Sequence, residues 1–584
     1  DWSSDVCSSD LIEKDGETGK KLVEYQALDG VTYDAGRTVL SSKQYEIMGD
    51  CKFEGVAQMR KDGKIIIWAH FEPASGYSRA EISCMSGTMG GDDFTFYSER
   101  PHGNESRDLN IFNDNGTLYA ISAANNNNDL NIYKIDESWT RVLPESEFPA
   151  ITVCEGQHRE APNMVKVDGW YYLFTSEANG WYPSQGMYCS ASTIQGLADA
   201  ALVPIHVTTF GTQSGWMSSV GDNRLLVGSV WASSGQFGEG KNWTKVFPVS
   251  FKDGYAVYNY YPELAYNDDR VMVPVQNGKI LSADQPAGIA DGDAPGEAGC
   301  EAALVTDGRS DDKNVYYKSV ESIGVPYSLT VDLGGLCSVS QVDVSFREPK
   351  GSDTRNLYKI YGSKDGIIFD EVLVDASSNK NPGFDSRAVE NKGLYRYVKI
   401  TVSEVRDMRH NDNKVSWSRG IHEMTIYGTP SDMKITGYEP EMAVDLGRKP
   451  ELPAAVTLEY SDGRTMEEPV EWEYVSASEL SEPFVKKNVK GTLRNFPDMT
   501  ISTTLEVIPK ELKYFIDCGT GDWGVKSEEF ERISSVEGVS LFNDTSDRQF
   551  SSSEELTGQW GYSSKTSDTS SLKLTPDNTT GSSA

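Results

Sequence analysis

Three polar clusters carry the residue types that could do acid–base chemistry: CKFEGVAQM at Cys51–Met59, HGNESRDLNIF at His102–Phe112 and GQHREAPNMV at Gly156–Val165. Each sits just before an apolar run. Strand starts and their loops are where side chains gather around a pocket, so Glu54, Asp108 and Glu160 are candidate carboxyls. A carboxyl kept protonated by burial or by a second carboxylate can protonate a leaving oxygen. Metal chemistry has no comparable signal. The eight cysteines are scattered without a CxxC pair, and the six histidines form no HExxH-type cluster, so no metal ligands are assigned. Of the cysteines, Cys154 and Cys189 form the candidate disulfide.

The elements that must position these groups are strands. From Val23 to about Lys279 short apolar runs such as KIIIWAHF (Lys64–Phe71), TLYAISA (Thr117–Ala123), WYYLFTS (Trp170–Ser176) and RLLVGSVW (Arg224–Trp231) follow turn signals such as KDG, NDNG and VDG. The unit recurs about every 50 residues, the repeat of propeller blades. The expected fold is all-β: a five-bladed β-propeller with a truncated first blade, then a β-jelly-roll, an Ig-like β-sandwich and a partial C-terminal β-domain. Gly288–Gly299 (GIADGDAPGEAG) reads as a linker or loop.

A chain of 584 residues holds several domains. Residues 1–11, DWSSDVCSSDL, read as a sequencing-adapter artefact, so the natural N-terminus and any signal peptide are expected to be missing. The expected domains are 12–284 (propeller), 285–430, 431–512 and 513–584. A formal charge of −34 argues against nucleic acid and anionic membranes as partners. No apolar run approaches the ~18 residues of a membrane span.

Three motifs in order make the resemblance specific. ESRDLNIFNDNGTLYAI (Glu105–Ile121), HREAPNMVKVDGWYYLFTSEANGWYPS (His158–Ser184) and TTFGTQS (Thr208–Ser214) resemble glycoside hydrolase family 43, in its exo-β-1,3-galactanase branch. The resemblance implies a secreted or cell-surface, inverting exo-hydrolase that releases galactose from β-1,3-galactan of the arabinogalactan type. An α-L-arabinofuranosidase or β-xylosidase, and a non-catalytic glycan-binding surface protein, are the alternatives. Glu160 aligns with the general acid, Glu54 with a glutamate that tunes it, and Asp108 with an acceptor of a sugar hydroxyl. Gln213 stands where a base would act. An amide is a poor base, so water positioning is its expected role, and an inverting pair requires a gap of ~6.5–9.5 Å between Glu160 and the opposing group. Trp181 and Tyr77 are expected sugar platforms, with Arg107 and Asn179 as further substrate contacts. Ala178–Asn179 departs from the cysteine–threonine usual in the branch.

The region 285–430 resembles a discoidin-like, family 32 carbohydrate-binding jelly roll through VDLGG, YKIYGSKDG and YRYVKITV. It is expected to fold alone, with Arg347, Trp417 and His422 toward ligand. Residues 431–512 resemble a bacterial Ig-like domain, and KYFIDCG (Lys513–Gly519) resembles the start of a malectin-like domain. No cofactor is expected for catalysis; calcium is the structural ion the jelly-roll resemblance implies. The partners implied are plant or host glycans.

Overall fold

The computed structural model describes residues 12–14, 20–25, 32–231, 243–266, 272–275, 277–349, 353–391, 393–431, 435–437, 441–460, 465–482, 485–494, 496–507, 514–517 and 540–543. The adapter-like residues 1–11, Cys518 and most of the expected C-terminal domain lie outside them. Among the described residues the chain is strands and short 3₁₀ turns, and no helix is long and apolar enough to cross a membrane. The chain divides into two compact units, the first ending at residue 434 apart from residues 466–468, which also belong to it, and the second taking the remainder.

Four antiparallel four-stranded meanders follow one another in the first unit, beginning at Lys52, Leu109, Arg159 and Gln213. Their spacing matches the repeat read from the turn signals. A three-stranded sheet (Ile12–Lys14, Lys20–Glu24, Arg37–Leu40) precedes them, and a two-stranded one (Glu263–Tyr266, Met272–Val275) follows. A fifth four-stranded sheet is therefore not present among the described residues.

Strand alternation explains why the sheets stack. Ile66 and Trp68 point into one core with Leu118 and Tyr133, while Ile67 and Phe71 point into another with Met85 and Phe94. In the third sheet Tyr171 and Leu173 face the second sheet, and Tyr172 and Phe174 face the fourth. Each sheet is thus apolar on both faces, which is why its strands read as continuous apolar runs. The first strands of neighbouring sheets, Lys52–Lys61, Leu109–Asp114, Arg159–Val167 and Gln213–Val220, lie side by side in that order. Side chains link them: Asn110 Oδ1 accepts the Met164 N–H at 3.3 Å, and Asn163 Oδ1 accepts that of Met217 at 2.9 Å.

The same unit continues into an eight-stranded β-structure whose core includes Val331, Val344, Phe346, Ile400 and Ile426. Its long strand Tyr327–Phe346 pairs first with Leu394–Asp407, then with Ile421–Pro430 and Phe384–Ala388. The register shifts between Asp332 and Cys337. Lys279–Ile280 already pairs with Ile421–Pro430, which moves the start of this region from 285 to 279. Residues 288–299 are not a linker. Gly288 and Ala294 donate their N–H groups to Thr330 and Ser328, and Ala294 is buried in the core.

This region lies in the same compact unit as the four four-stranded sheets and packs against the fourth. Phe384 packs among Phe210, Phe247 and Tyr258 of the fourth-sheet core. His206 stacks on Phe210 at 3.9 Å and reaches Ser345 Oγ at 3.0 Å, and burial pushes its pKa well down. Lys245 donates to the Phe210 carbonyl at 2.7 Å and is pushed down to about 8 by burial. Gly211 shows how close the approach is. Its φ is +76°, and a Cβ there would stand 3.0 Å from the Pro382 carbonyl oxygen. Two further contacts brace the loop at 177–185: Lys313 pairs with Glu177 at 2.8 Å, and Gln185 Nε2 donates to the Asp311 carbonyl at 2.7 Å.

In the second unit, Ile435–Gly437, Glu441–Val444, Ala455–Tyr460, Thr465–Trp472, Lys486–Leu493 and Phe496–Val507 form a six-stranded arrangement. Val475, Leu480, Val489, Leu505 and Val507 fill its core, and Trp472 Nε1 donates to the Pro453 carbonyl at 2.8 Å. Tyr514–Asp517 pairs in parallel with Ser540–Asn543.

Candidate active site

One address is used four times. Glu54, Asp108, Glu160 and Gln213 each stand within three residues of the start of an innermost strand, or directly before it. In three of those strands the ladder slips immediately afterwards, at Glu54/Ala57, Glu160/Asn163 and Ser214/Trp216. A bulge re-aims side chains at the end of a strand. At Glu160 it is accompanied by Ala161 at φ +48°, a left-handed conformation costly for a residue with a Cβ. Asp108 Oδ2 holds that strained residue by accepting its N–H at 3.1 Å.

Glu160 is buried, with 6% of its surface exposed. Its Oε1 accepts from Gln213 Nε2 at 2.9 Å and its Oε2 from Asn127 Nδ2 at 3.0 Å. Burial first, and the neighbouring Asp108 charge second, hold its pKa well above the ordinary carboxylate range; the two amide donors and Arg159 oppose them. Arg159 is not a surface partner of Glu160. The two are consecutive on a strand and point to opposite faces; the buried Arg159 guanidinium donates to Thr175 and to the Gln185 carbonyl at 2.7 Å.

Gln213 does not stand a water-width away from the acid, as an opposing group in an inverting pair must. It touches Glu160. Trp231 Nε1 donates to Gln213 Oε1 at 2.7 Å, and an indole N–H can only donate. That fixes the amide, so Gln213 Oε1 is occupied and Nε2 must face Glu160. Gln213 therefore holds the Glu160 carboxyl.

Glu54 anchors a second polar group. Tyr77 Oη donates to it at 3.1 Å, Lys52 lies at 3.2 Å and His70 Nδ1 at 3.5 Å. His70 Nε2 meets the fully buried Glu72 at 2.9 Å, and Glu72 also accepts from the Arg79 and Ala80 N–H groups. Those hydrogen bonds outweigh burial and set the Glu72 pKa below the usual range. The Tyr77 ring carries the Lys52 ammonium at 3.4 Å and stacks on His70. It is a partner of Glu54 rather than an open platform. Trp181 is 49% exposed and keeps the platform assignment open. Its loop leaves the strand at Glu177, opposite Arg159, and returns at Ser184, whose N–H donates to the Thr212 carbonyl. In that loop Asn179 Nδ2 contacts the Pro183 carbonyl at 3.4 Å, and its Oδ1 is buried without a partner. Arg107 is bonded to Glu105, which also accepts the Asn126 N–H. It thereby steadies the turn that carries Asn127.

Asn127, Trp231, His70 and Glu72 were not anticipated from the sequence. The one local signal is the run of four asparagines at 125–128, a residue type that tolerates left-handed turns; three of them adopt positive φ. In the eight-stranded region His422 is corrected. Only 2% of it is exposed, and its Nδ1 bonds the Val315 carbonyl, so it cannot face a ligand. Trp417 is exposed, and Arg347 donates to its carbonyl while stacking over Tyr316. The expected calcium finds no cluster of three acidic, histidine or cysteine side chains among the described residues. Cys154 and Cys189 are free thiols in hydrogen-bond contact, which pulls the Cys154 pKa down and raises that of Cys189.

The electrostatics give a directional prediction. Asp108→Asn removes the charge that raises the Glu160 pKa, so the alkaline limb of a kcat/KM profile should move to lower pH. A limb that stays in place or rises would contradict the coupling.

A deeply buried carboxyl, its pKa held well above the ordinary carboxylate range, stands where four strand starts converge. Residues 92–228, which hold Asp108, Asn127, Glu160 and Gln213, match the family model of glycosyl hydrolases family 43. Residues 439–493 match that of the bacterial Ig-like domain, group 4. No curated protein matches the chain. Among solved structures it is similar to an exo-β-1,3-galactanase from Phanerochaete chrysosporium with galactose, at 19% identity over 71% of this chain and 95% of that one, TM-score 0.42. An exo-β-1,3-galactanase from Clostridium thermocellum aligns at 20% identity over 65% and 92%, TM-score 0.39.

Proposed function

We propose that this protein is an exo-acting glycoside hydrolase that releases galactose from β-1,3-galactan chains outside the cell, with inversion at the anomeric carbon. The observation that carries the reading is Glu160: buried, its pKa held well above the ordinary range by burial and by Asp108, and held on both oxygens within the segment that matches the family 43 model. Its proton passes to the glycosidic oxygen as the C–O bond breaks, while a water molecule bonds to the anomeric carbon from the opposite face and gives up its own proton to solvent. Asp108 sustains the acid and offers its remaining oxygen to a sugar hydroxyl. Glu54 and Tyr77 form the polar wall, and Trp181 offers the apolar face that galactose stacks on. Gln213 serves the acid's own side of the bond. Exposed Trp417 with Arg347 supports a sugar-binding, discoidin-like role for residues 279–430.

The test is hydrolysis of β-1,3-galacto-oligosaccharides beside aryl β-galactosides, β-xylosides and α-L-arabinofuranosides, with the first product's anomer read by proton NMR. Galactose released first as the α-anomer is expected. Preference for the arabinoside or xyloside would overturn the substrate, and a first-formed β-anomer the stereochemistry.

A further inference from the structure

We infer that Asn127 is the positioning residue for the transferable proton of Glu160, accepting a hydrogen bond from the neutral acid before reaction and donating one to the carboxylate afterwards. The inference rests on Glu160 being the acid of the proposed reaction. Three observations carry it. Gln213 can only donate to Glu160 Oε1, because Trp231 occupies its own oxygen. A proton on Oε1 would point at that N–H group, so the proton of the neutral acid resides on Oε2. Oε2 faces Asn127, whose Nδ2 lies 3.0 Å away. In that orientation Asn127 Oδ1 is buried with no hydrogen-bond partner, a costly state for a carbonyl oxygen.

A half-turn of the Asn127 amide gives Oδ1 a partner and moves Nδ2 into the place that Oδ1 leaves. Oδ1 then accepts the Oε2–H of the neutral acid, and the orphan oxygen is satisfied. When the proton moves to the glycosidic oxygen and the C–O bond breaks, Oε2 becomes anionic. The amide turns back, and Nδ2 donates to the new carboxylate. Both protonation states of Glu160 are thus met by one side chain. The turn that carries it is set by Arg107 through Glu105, and Asn127 itself sits at φ +59°. The other groups bearing on Glu160 are Asp108, Gln213 and Arg159, and none of them can exchange donor for acceptor in this way.

Leaving-group dependence separates this role from a structural one. Asn127→Ala should lower kcat/KM about ten-fold on a galacto-oligosaccharide, whose leaving alcohol needs the proton. It should change kcat/KM less than two-fold on 2,4-dinitrophenyl β-galactoside, whose leaving group departs without one. Equal losses on both substrates, or none on the oligosaccharide, would overturn the inference. Asn127→Asp is the second variant. It can accept but not donate, and its charge should move the alkaline limb of kcat/KM to higher pH; a limb that stays in place also counts against the assignment. If the wild-type protein cleaves neither substrate, it is the functional reading that fails.

Discussion

Glu160→Gln is expected to lower turnover of galacto-oligosaccharides by about 10²–10⁴-fold while leaving their binding intact. The amide is isosteric with the protonated acid. Its oxygen can accept from Gln213, and its nitrogen can donate to the Asn127 oxygen that otherwise lacks a partner. The fold has no reason to suffer. The chemistry does, because the one transferable proton is gone. Initial rates with calorimetric binding check both halves, and a variant keeping more than a tenth of wild-type activity would remove Glu160 as the acid. Stability supplies an independent sign. The folded pKa of Glu160 is raised, so its contribution is complete below the unfolded value of ~4.3 and is lost as pH rises through the folded value. Glu160→Gln should therefore gain in Tm relative to wild type as pH rises through that window.

The second large effect concerns a residue far from the acid in sequence. Phe384→Ala should cost about 3–5 kcal/mol, the range for emptying a buried aromatic site. The side chain is 3% exposed and meets Phe210, Tyr260 and Phe247's cluster. Because the cavity opens in the core of the fourth sheet, unfolding of both parts should shift together in a denaturant titration. Two separate transitions, with the propeller-like part unmoved, would restore the picture of an autonomous appended module.

The sheets were legible because DG- and NG-type turns punctuate runs that are apolar on both faces. Glu160, Asp108 and Gln213 were legible because short motifs surround them. Their partnership was not. Gln213 and Glu160 are 53 residues apart and meet only because two innermost strands lie side by side. Trp231 reads as the end of an apolar strand, and nothing nearby announces that its indole fixes an amide. His422 misled for a physical reason: its strand is covered on both faces, so a polar residue there is not a surface residue. Ala294 and Gly296 misled in the opposite direction. Small residues suggest slack chain, yet Gly296 lies where a Cβ would stand 2.3 Å from the Cys300 carbonyl oxygen.

The repeated use of one strand position has a consequence for how such a site can change. Each innermost strand start contributes one of these polar groups, three of the four are followed by an irregularity in the ladder, and no two of the groups share a segment of chain. A point substitution at one start alters one group; Asp108 is the exception, because it also holds the Ala161 backbone beside Glu160. The carboxyls and the amide are thus encoded by separate segments of the chain. One group can therefore be exchanged by a single substitution without rebuilding the sheets that carry it.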